Sequence, residues 1–430
     1  MSNNSFISAK RDALKKYFGR MNEMQQEAVF TVNGPVLVLA GAGSGKTTVI
    51  VNRIANMIKF GNAYADESAS GNDSDIAFLR DFAEGKNDDA ETLRDIIAVE
   101  PIKPWNILAI TFTNKAAAEL RERLCDMLGE DGMNINASTF HSACMRILRS
   151  EIEALGYGRD FTIYDSDDSQ RMIKAIMSDI DVSEKQLAPR AVLSEISFAK
   201  DKMISPDEMR SDAGQDYRKK IISRIYALYQ ERLKTANALD FDDILCHTVR
   251  LFEEFPAVLE KYQKRYKYIM VDEYQDTNHV QFRLVSLLSQ THSNLCVVGD
   301  DDQSIYKFRG ANIENILGFE SQFKGAKVIR LEQNYRSTQT ILNAANAVIS
   351  HNYGRKAKSL WTKGGKGDKV YWYKAVDETD EAKFVADTIQ EHYKATGKYS
   401  DNAVLYRMNA QSNAVERMLV KCGIPYRVYG

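Results

Sequence analysis

The sequence predicts an α/β fold built around a parallel sheet. Two observations support this class: apolar runs rich in β-branched residues recur along the chain, and amphipathic helical patterns separate them. Each apolar run also ends in a polar motif. The runs are PVLVLA (35–40), NILAITF (106–112), YKYIMVDE (266–273), NLCVVGD (294–300) and KVIRLE (327–332). Because ligands of parallel sheets bind beyond the carboxyl ends of the strands, these motifs mark the expected site.

The order of these patterns predicts the domain organisation. Helical patterns at 114–128 and 142–155 connect strands, whereas residues 156–236 are mostly helical and contain no strand followed by a motif. After Tyr335 a second strand–helix series begins, with KVYWYKAV, a helix from about Glu378, NAVLYRM and PYRVYG. The expected parts are a first α/β domain in two pieces (1–155 and 237–335), a helical insertion subdomain (156–236) and the start of a second α/β domain (336–430).

An acidic segment interrupts the first piece at 62–103. From Asp66 to Glu100 there are eleven acidic and three basic residues, a net charge of −8, which leaves +6 for the rest of the chain. The near-neutral total therefore does not exclude a basic groove for nucleic acid. Two short amphipathic patterns predict a solvated two-helix surface insertion here, and an acidic arm that competes with nucleic acid is the weaker alternative.

Length and composition exclude several classes of protein. A chain of 430 residues exceeds one ordinary core, so two or more domains are expected. No apolar run is long enough to span a bilayer, and the first residues lack the apolar stretch of a secretory signal. The five cysteines form no CxxC pair, so we expect neither structural zinc nor disulfides, and a reducing, cytoplasmic location.

The segment AGAGSGKT (40–47) has the properties of a phosphate-binding loop. It lies between a predicted strand and a predicted helix, where glycines allow backbone N–H groups to face phosphate oxygens. We expect Lys46 to reach the β- and γ-phosphates and the Thr47 hydroxyl to bind Mg²⁺. A Gly-rich turn with an incidental lysine is the alternative. The expected nucleotide-binding positions in the loop are Ala42, Gly43, Ser44, Gly45, Lys46 and Thr47.

An acidic pair follows another predicted strand, in YIMVDEYQDTN (268–278). Beside a phosphate loop, Asp272 is expected to hold Mg²⁺, and Glu273 is expected to orient and deprotonate the attacking water. Such a pair can also be only a helix N-cap signal. Together with the phosphate loop, it favours an enzyme that hydrolyses a nucleoside triphosphate.

The motifs together resemble one family. AGAGSGKT, ITFTNKAAAEL, STFHS, LDFDDIL, VDEYQDTN, VGDDDQSIYKFRGA and LEQNYRS, in this order, are similar to the UvrD/Rep/PcrA family of superfamily one DNA helicases, from about Met21 onward. The resemblance implies RecA-like domains, ATP and Mg²⁺ as cofactors, and 3′-to-5′ translocation on single-stranded DNA with unwinding at duplex junctions, in repair or replication. We also expect no membrane partner, because no apolar run is long enough to span a bilayer, and we expect a monomer.

The resemblance extends to the nucleotide site. Gln25 matches the residue that reads adenine, Tyr335 matches the tyrosine that stacks on it, and Arg336 matches an arginine that reaches the γ-phosphate. Gln303 matches the glutamine that senses the γ-phosphate. Thr48 stands where the family often has an arginine beside the adenine, so one side of that nucleotide sandwich is altered.

The resemblance also implies a nucleic-acid face made of aromatic platforms and basic side chains. The short spacing between Gln303 and the aromatics suggests that a shift at Gln303 moves them, while Asp301 and Asp302 are expected in a solvated turn. Phe308 replaces the usual tryptophan, which reduces stacking area. The expected DNA-binding residues are Thr111, Phe112, Asn114, Thr139, Phe140, His141, Tyr306, Phe308 and Arg309. Of these, Thr139, Phe140 and His141 are expected to contribute backbone contacts.

Two alternatives remain open for the function. The chain could be the helicase part of a helicase–nuclease, or a non-catalytic clamp that uses ATP only to change conformation. Later family motifs do not occur before Gly430, so we expect a truncated, N-terminal ATP-binding portion that is weakly active or inactive alone.

Overall fold

A computed structural model describes residues 2–429, with the side chains of Ser2, Asn3 and Arg309 left undescribed. The chain divides into two compact units, Met1–Gly367 and Asp368–Gly430.

The first unit contains all the strands found in the described residues. They are β1 (Val36–Ala40), β2 (Ile107–Thr111), β3 (Asn136–Thr139), β4 (Thr162–Ile163), β5 (Ala238–Leu239), β6 (Tyr268–Val271), β7 (Leu295–Gly299) and β8 (Lys327–Leu331). Its helices are α1 (Ser2–Tyr17), α2 (Glu23–Phe30), α3 (Lys46–Lys59), α4 (Asp73–Ala83), α5 (Ala90–Ile97), α6 (Asn114–Leu128), α7 (Glu130–Met133), α8 (Phe140–Glu151), α9 (Ser166–Asp179), α10 (Pro189–Asp201), α11 (Pro206–Asp212), α12 (Tyr217–Thr235), α13 (Phe241–Glu254), α14 (Pro256–Arg265), α15 (His279–Ser289), α16 (Glu314–Leu317), α17 (Phe319–Gln322) and α18 (Gln339–Ile349).

Six strands form one parallel sheet in the order β3-β2-β6-β7-β1-β8. Five of them coincide with the five predicted apolar runs, which confirms the expected parallel sheet. β3 was not predicted, because its residues NAST lack the apolar character of the other strands. It lies at the edge of the sheet, and Ala137, Ser138 and Thr139 are nevertheless buried.

Both faces of the sheet are covered, and β1 shows how. All five of its residues are buried. Val36, Val38 and Ala40 pack into one hydrophobic core, whereas Leu37 and Leu39 pack into the core on the opposite face. This alternation is the normal consequence of the two-residue strand period, and it fixes β1 in the interior, next to β7 and β8.

The helical insertion has a core of its own, built from residues such as Ile173, Ile196 and Tyr229 on α9, α10 and α12. The expected helical character is present, although β4 pairs with β5 in a two-residue parallel ladder that the sequence analysis did not anticipate. Buried Lys200 joins the insertion to the start of α13: its Nζ lies 2.6 Å from Asp240 Oδ2 and 2.7 Å from Asp243 Oδ1.

The acidic segment forms the two expected helices, α4 and α5. Helix α1 packs against α4. Lys10 anchors this pair, because its buried ammonium donates to the Asp66 carbonyl at 2.8 Å. A buried cation that is hydrogen-bonded in this way resists being moved, so the start of the segment is tied to the first helix.

The Asp301–Asp302 turn is not the solvated turn that we expected. Asp301 is buried, and the ammonium of buried Lys358 contacts it and lies 2.8 Å from both Asp300 Oδ1 and Asp302 Oδ2. Arg355 adds a bidentate pair to Asp302, with both N–O distances at 2.6 Å. Burial acts to lower the pKa of Lys358, but the carboxylates outweigh it and raise that pKa. The sequence analysis missed this because the partners stand more than fifty residues apart in the chain.

The second unit contains α19 (Glu378–Thr396) and α20 (Ser412–Lys421). The two helices pack through a small core of Ala386, Ile389, Leu419 and Ile424. The three runs expected as strands, KVYWYKAV, NAVLYRM and PYRVYG, form no strand in the described residues. A strand is stable only when a neighbour completes its hydrogen-bond ladder, and these runs have no such neighbour within the described part of this unit.

Among the residues that the structure describes, none belongs to a helix that is both long and apolar enough to cross a bilayer.

The Lys358 cluster yields a prediction about stability. Replacing Lys358 by Met leaves Asp300 and Asp301 buried without their cation, and breaking a buried ion pair from one side costs about 3–5 kcal/mol. Urea denaturation should therefore show a clear fall in the unfolding midpoint. K264M, which removes the lysine of an exposed pair with Glu260, should leave the midpoint unchanged. Equal effects in the two variants would contradict the assigned role of Lys358.

Candidate nucleotide and nucleic-acid site

The glycine-rich loop connects β1 directly to α3. Strand β1 ends at Ala40 and α3 begins at Lys46, as the sequence predicts. Gly43 and Gly45 have φ values of +68° and +88°, which side-chain-bearing residues rarely adopt. A Cβ on Gly43 would also lie 2.6 Å from Asn334 Nδ2. Both glycines are therefore required by the shape of the loop.

The loop is held from outside by two amide side chains. Asn334 Nδ2 donates to the Ala42 carbonyl at 2.6 Å, and Gln25 Nε2 donates to the Ser44 carbonyl at 2.8 Å. Gln25 is buried, and its Oε1 accepts from the Asn22 backbone N–H. The residue expected to read adenine thus also supports the loop, so a base contact would have to use its remaining hydrogen-bonding capacity.

The other three residues expected at the nucleotide are on the surface near the loop. The Tyr335 N–H donates to the Gly43 carbonyl at 2.9 Å, and its half-exposed ring receives a hydrogen bond from Asn22 at the hydroxyl. Arg336 is exposed, and its Cβ lies beside Gly43. Thr48 is exposed in the first turn of α3.

Lys46 and Glu273 meet at the centre of the site. The Lys46 Nζ lies 2.7 Å from Glu273 Oε2. Glu273 follows β6 with φ +50° and ψ +41°, a left-handed conformation that is unfavourable for a glutamate. Strain of this kind persists only where the surroundings enforce it, and it often marks functional residues. The structure thus brings together the predicted lysine and the predicted general base.

Asp272 has the properties of a ligand for a hard cation. Burial and the neighbouring Glu273 charge raise its pKa to about 6, and its Oδ1 accepts from the Glu273 N–H. A divalent cation at this carboxylate would offset both unfavourable effects. The carboxylate of Asp272 and the hydroxyl of the partly buried Thr47 are oxygen donors of the type that Mg²⁺ prefers. The residues therefore fit the expected magnesium ion.

A different acidic group is closed to a metal. Among the described residues, Asp300, Asp301 and Asp302 form the only group of three or more acidic, histidine or cysteine side chains whose ligand atoms lie at metal-binding spacing. The Lys358 ammonium already contacts all three carboxylates, so it takes the place that a metal ion would occupy there.

Gln275 connects the loops after β6 and β7, and the sequence analysis did not assign it a role. Its Nε2 donates to Glu273 Oε2 at 2.9 Å, and its Oε1 accepts from the Asp300 N–H at 2.9 Å. Gln303 donates to Asp300 Oδ2 at 2.6 Å. A chain of hydrogen bonds therefore runs from Glu273 through Gln275 and Asp300 to Gln303. In the sequence, the only signal for a role of Gln275 was its position two residues after Glu273.

Gln303 and Glu273 also line a cavity of about 900 Å³ that extends to the helical insertion. The aromatic lining includes three expected residues, Phe112, Tyr306 and Phe308, as well as the expected His141. Two further aromatics, Phe198 and Phe241, lie in the same cavity and were missed. Both are at least half exposed, which is unusual for phenylalanine, but exposure cannot be read from a sequence.

His141 forms an apolar platform. Its ring stacks on Phe241 with a centroid distance of 4.1 Å, and burial lowers its pKa to about 4. The imidazole is therefore uncharged near neutral pH, so the pair offers ring surface and not a positive charge.

Three of the residues expected to bind DNA have buried side chains. The side chains of Thr111, Thr139 and Phe140 are buried: Phe140 packs edge-on against Phe112, and the Thr139 hydroxyl caps α8. Only their backbones could therefore contact a strand, as we expect for Thr139 and Phe140, and the DNA-binding role of all three residues stays a prediction. Asn114 is exposed at the start of α6. The Arg309 side chain lies outside the described residues.

Acidic side chains also line the cavity. Asp201 at the end of α10 accepts a hydrogen bond from Asn278 at 2.5 Å, and burial together with the Asp242 charge raises its pKa to about 7. Burial and the Glu273 charge likewise raise the pKa of Asp276 to about 6. A Cβ on Gly310 would lie 2.5 Å from Asp201 Oδ2, so the insertion packs closely against the segment that follows Phe308.

Comparison with known proteins identifies the family. A model of the UvrD/REP helicase N-terminal domain matches residues 21–68 and 90–324, and a model of the UvrD-like helicase C-terminal domain matches 329–430. The chain belongs to the UvrD/Rep helicase family. The resemblance read from the motifs is thereby confirmed, and with it the RecA-like α/β fold class. Residues 69–89, which include α4, match neither model.

Curated relatives of this UvrD/Rep chain cover nearly all of it. The chain is 44% identical to proteins named ATP-dependent DNA helicase PcrA from Staphylococcus epidermidis and Bacillus subtilis, over 95% of its own length. The match covers 51% and 50% of those two relatives. The chain thus spans about half the length of the curated relatives it matches.

The raised pKa of Asp201 predicts a pH-dependent effect on stability. Its pKa is about 7 in the folded chain against an ordinary value of 3.8, so ionisation disfavours folding, and this penalty grows as pH rises toward 7. Asn at position 201 keeps an acceptor for Asn278 but cannot ionise. D201N should therefore raise the melting temperature more at pH 8 than at pH 5.

The matched control for this prediction is D387N, at an exposed position of α19. It should give no comparable pH dependence. A D201N effect that is constant from pH 5 to pH 8 would show that Asp201 does not titrate as described.

Proposed function

We propose that this chain binds and hydrolyses ATP as an ATP-dependent DNA helicase that moves along single-stranded DNA. One observation carries the proposal: Glu273 contacts the phosphate-loop lysine on one side and lines the aromatic cavity on the other. A nucleotide site and a base-stacking cleft therefore share a side chain. The names of the curated relatives support the same activity.

In the proposed reaction the residues of the loop bind and orient ATP. The glycine-rich backbone directs N–H groups at the phosphates, and Lys46 leaves Glu273 to neutralise phosphate charge. Thr47 and Asp272 would hold a magnesium ion, which supplies charge stabilisation at the transferred phosphoryl group. Arg336 reaches the γ-phosphate, Tyr335 stacks on the adenine, and Gln25 supports the loop beneath it.

Glu273 acts as the general base. Once Lys46 turns to the phosphates, Glu273 Oε2 keeps the hydrogen bond from Gln275 and can accept a proton from the attacking water. Gln303 senses the γ-phosphate through its position on the adjoining loop. Because Asp300 links Gln303 to Gln275, a change at the phosphate alters the loop that carries Tyr306 and Phe308.

The cleft provides the grip on DNA. Aromatic rings stack on bases of any sequence, which suits a protein that moves along a strand. We propose the 3′-to-5′ direction, action at junctions of duplex and single strand, and a role in repair or replication from family membership. The free cysteines, all five of them within the described residues, are compatible with a reducing, cytoplasmic location.

The strained geometry of Glu273 separates this proposal from a clamp that binds ATP without hydrolysing it. A clamp has no need of a general base. Here Lys46 and Gln275 both contact the Glu273 carboxylate, and the Glu273 backbone adopts an unfavourable left-handed conformation. A helicase–nuclease would contain the same site, and no residue of the cavity favours it.

The test is DNA-stimulated ATP hydrolysis by the complete gene product. E273Q should lower the rate by about 10²–10⁴-fold, the usual contribution of a general base, while a fluorescent ATP analogue still binds. E260Q, at an exposed position of α14, serves as the control and should hydrolyse ATP normally. Unchanged hydrolysis by E273Q would exclude Glu273 as the base. Absence of hydrolysis in the unaltered protein, with ATP bound, would favour the clamp.

A further inference from the structure

Packing of the helical insertion does not explain the exposure of Phe198. Helix α10 buries Val192, Ile196 and Ala199 in the core of the insertion. Phe198 lies off this face and leaves half of its side chain exposed. A single exposed apolar residue would need no explanation, but Phe198 lines the same cavity as Phe241, Tyr306 and Phe308. The insertion therefore adds an aromatic ring to the cleft.

Lys202 lies over this ring. Its Nζ is 4.2 Å from the centroid of the Phe198 ring, within the range of a cation–π contact. The lysine is exposed and immediately follows α10. Because the cation lies over one face of the ring, a base would stack on the other face while the cation attracts the phosphate, a combination that holds a nucleotide of a single strand.

The charges in the cavity favour the entry of bases over the entry of phosphates. Asp201, Asp242 and Asp276 line it, and the ionised fraction of these carboxyl groups repels phosphate groups. The same oxygens can accept hydrogen bonds from the amino groups of bases. A strand would therefore direct its bases into the cavity and keep its backbone near the rim, on the side of Lys202.

We propose that Phe198 and Lys202 form a further binding subsite for one nucleotide of single-stranded DNA, with the base stacked on the Phe198 ring and the phosphate next to Lys202. This subsite lies on the helical insertion, facing the Tyr306–Phe308 segment. It rests on the proposed function, because it requires that the cleft takes up a single strand.

The test is the affinity of the complete protein for a fluorescein-labelled oligothymidylate, measured by fluorescence anisotropy. Loss of one stacking platform weakens binding by roughly 5- to 100-fold, so F198A should show a fall in this range and F198Y should restore binding. Y217A removes an exposed aromatic of the same insertion that lies outside the cavity, and it should bind like the unaltered protein. Because Phe198 is half exposed, F198A should keep its melting temperature.

A second variant tests the phosphate contact. K202A should reduce the slope of log affinity against log salt concentration by about 0.7, the value for one phosphate contact on a single strand. An unchanged slope would contradict the role of Lys202.

F308A separates the two proposals. If F308A weakens binding but F198A does not, the subsite is wrong and the proposed function stands. If the unaltered protein does not bind the oligonucleotide at all, both are wrong.

Discussion

The site depends on one constraint, the parallel order β6-β7-β1 at the centre of the sheet. Parallel neighbours end at the same edge, so the loops that follow these strands must share one space. The loop after β1 carries Lys46, the loop after β6 carries Glu273, and the loop after β7 carries Gln303. No flexible segment is needed to bring these side chains together. Their convergence follows from burial of apolar strands on both faces of the sheet, which fixes the register of β1 against β7.

At this edge of the sheet, side-chain contacts link the loops that lie next to each other. Glu273 is held between Lys46 and Gln275 in a left-handed backbone conformation, and Gln275 reaches Asp300 on the neighbouring loop. The ammonium of buried Lys358 contacts the carboxylates of Asp300 and Asp302 and thereby fixes the Asp300–Asp302 turn. The loop that presents Tyr306 and Phe308 is therefore rigid at its start and exposed at its end. Such an arrangement allows a small change at the nucleotide to alter the position of the aromatic rings.

The sequence predicted those parts of the structure that arise from local pattern. Continuous apolar runs predicted five strands, and the glycine spacing predicted the loop with Lys46. Polar β3 escaped detection because its residues NAST lack the apolar character of the other strands, although three of them are buried. The strain at Glu273, the Lys358 cluster and the exposure of Phe198 depend on contacts between distant residues, which no local pattern contains. The same limit explains why the burial of the Thr111 and Phe140 side chains could not be predicted from the sequence.

In the proposed mechanism, Glu273, Gln275 and Gln303 couple the nucleotide site to the aromatic cleft. The most direct measurement is the affinity for a slowly hydrolysed ATP analogue, determined with and without saturating oligothymidylate. Coupling between binding sites usually changes affinity by about 5- to 150-fold, and the effect must be reciprocal. The account predicts a change in this range in the unaltered protein and its loss in Q275A. Equal affinity with and without the oligonucleotide, while both ligands bind, would contradict it.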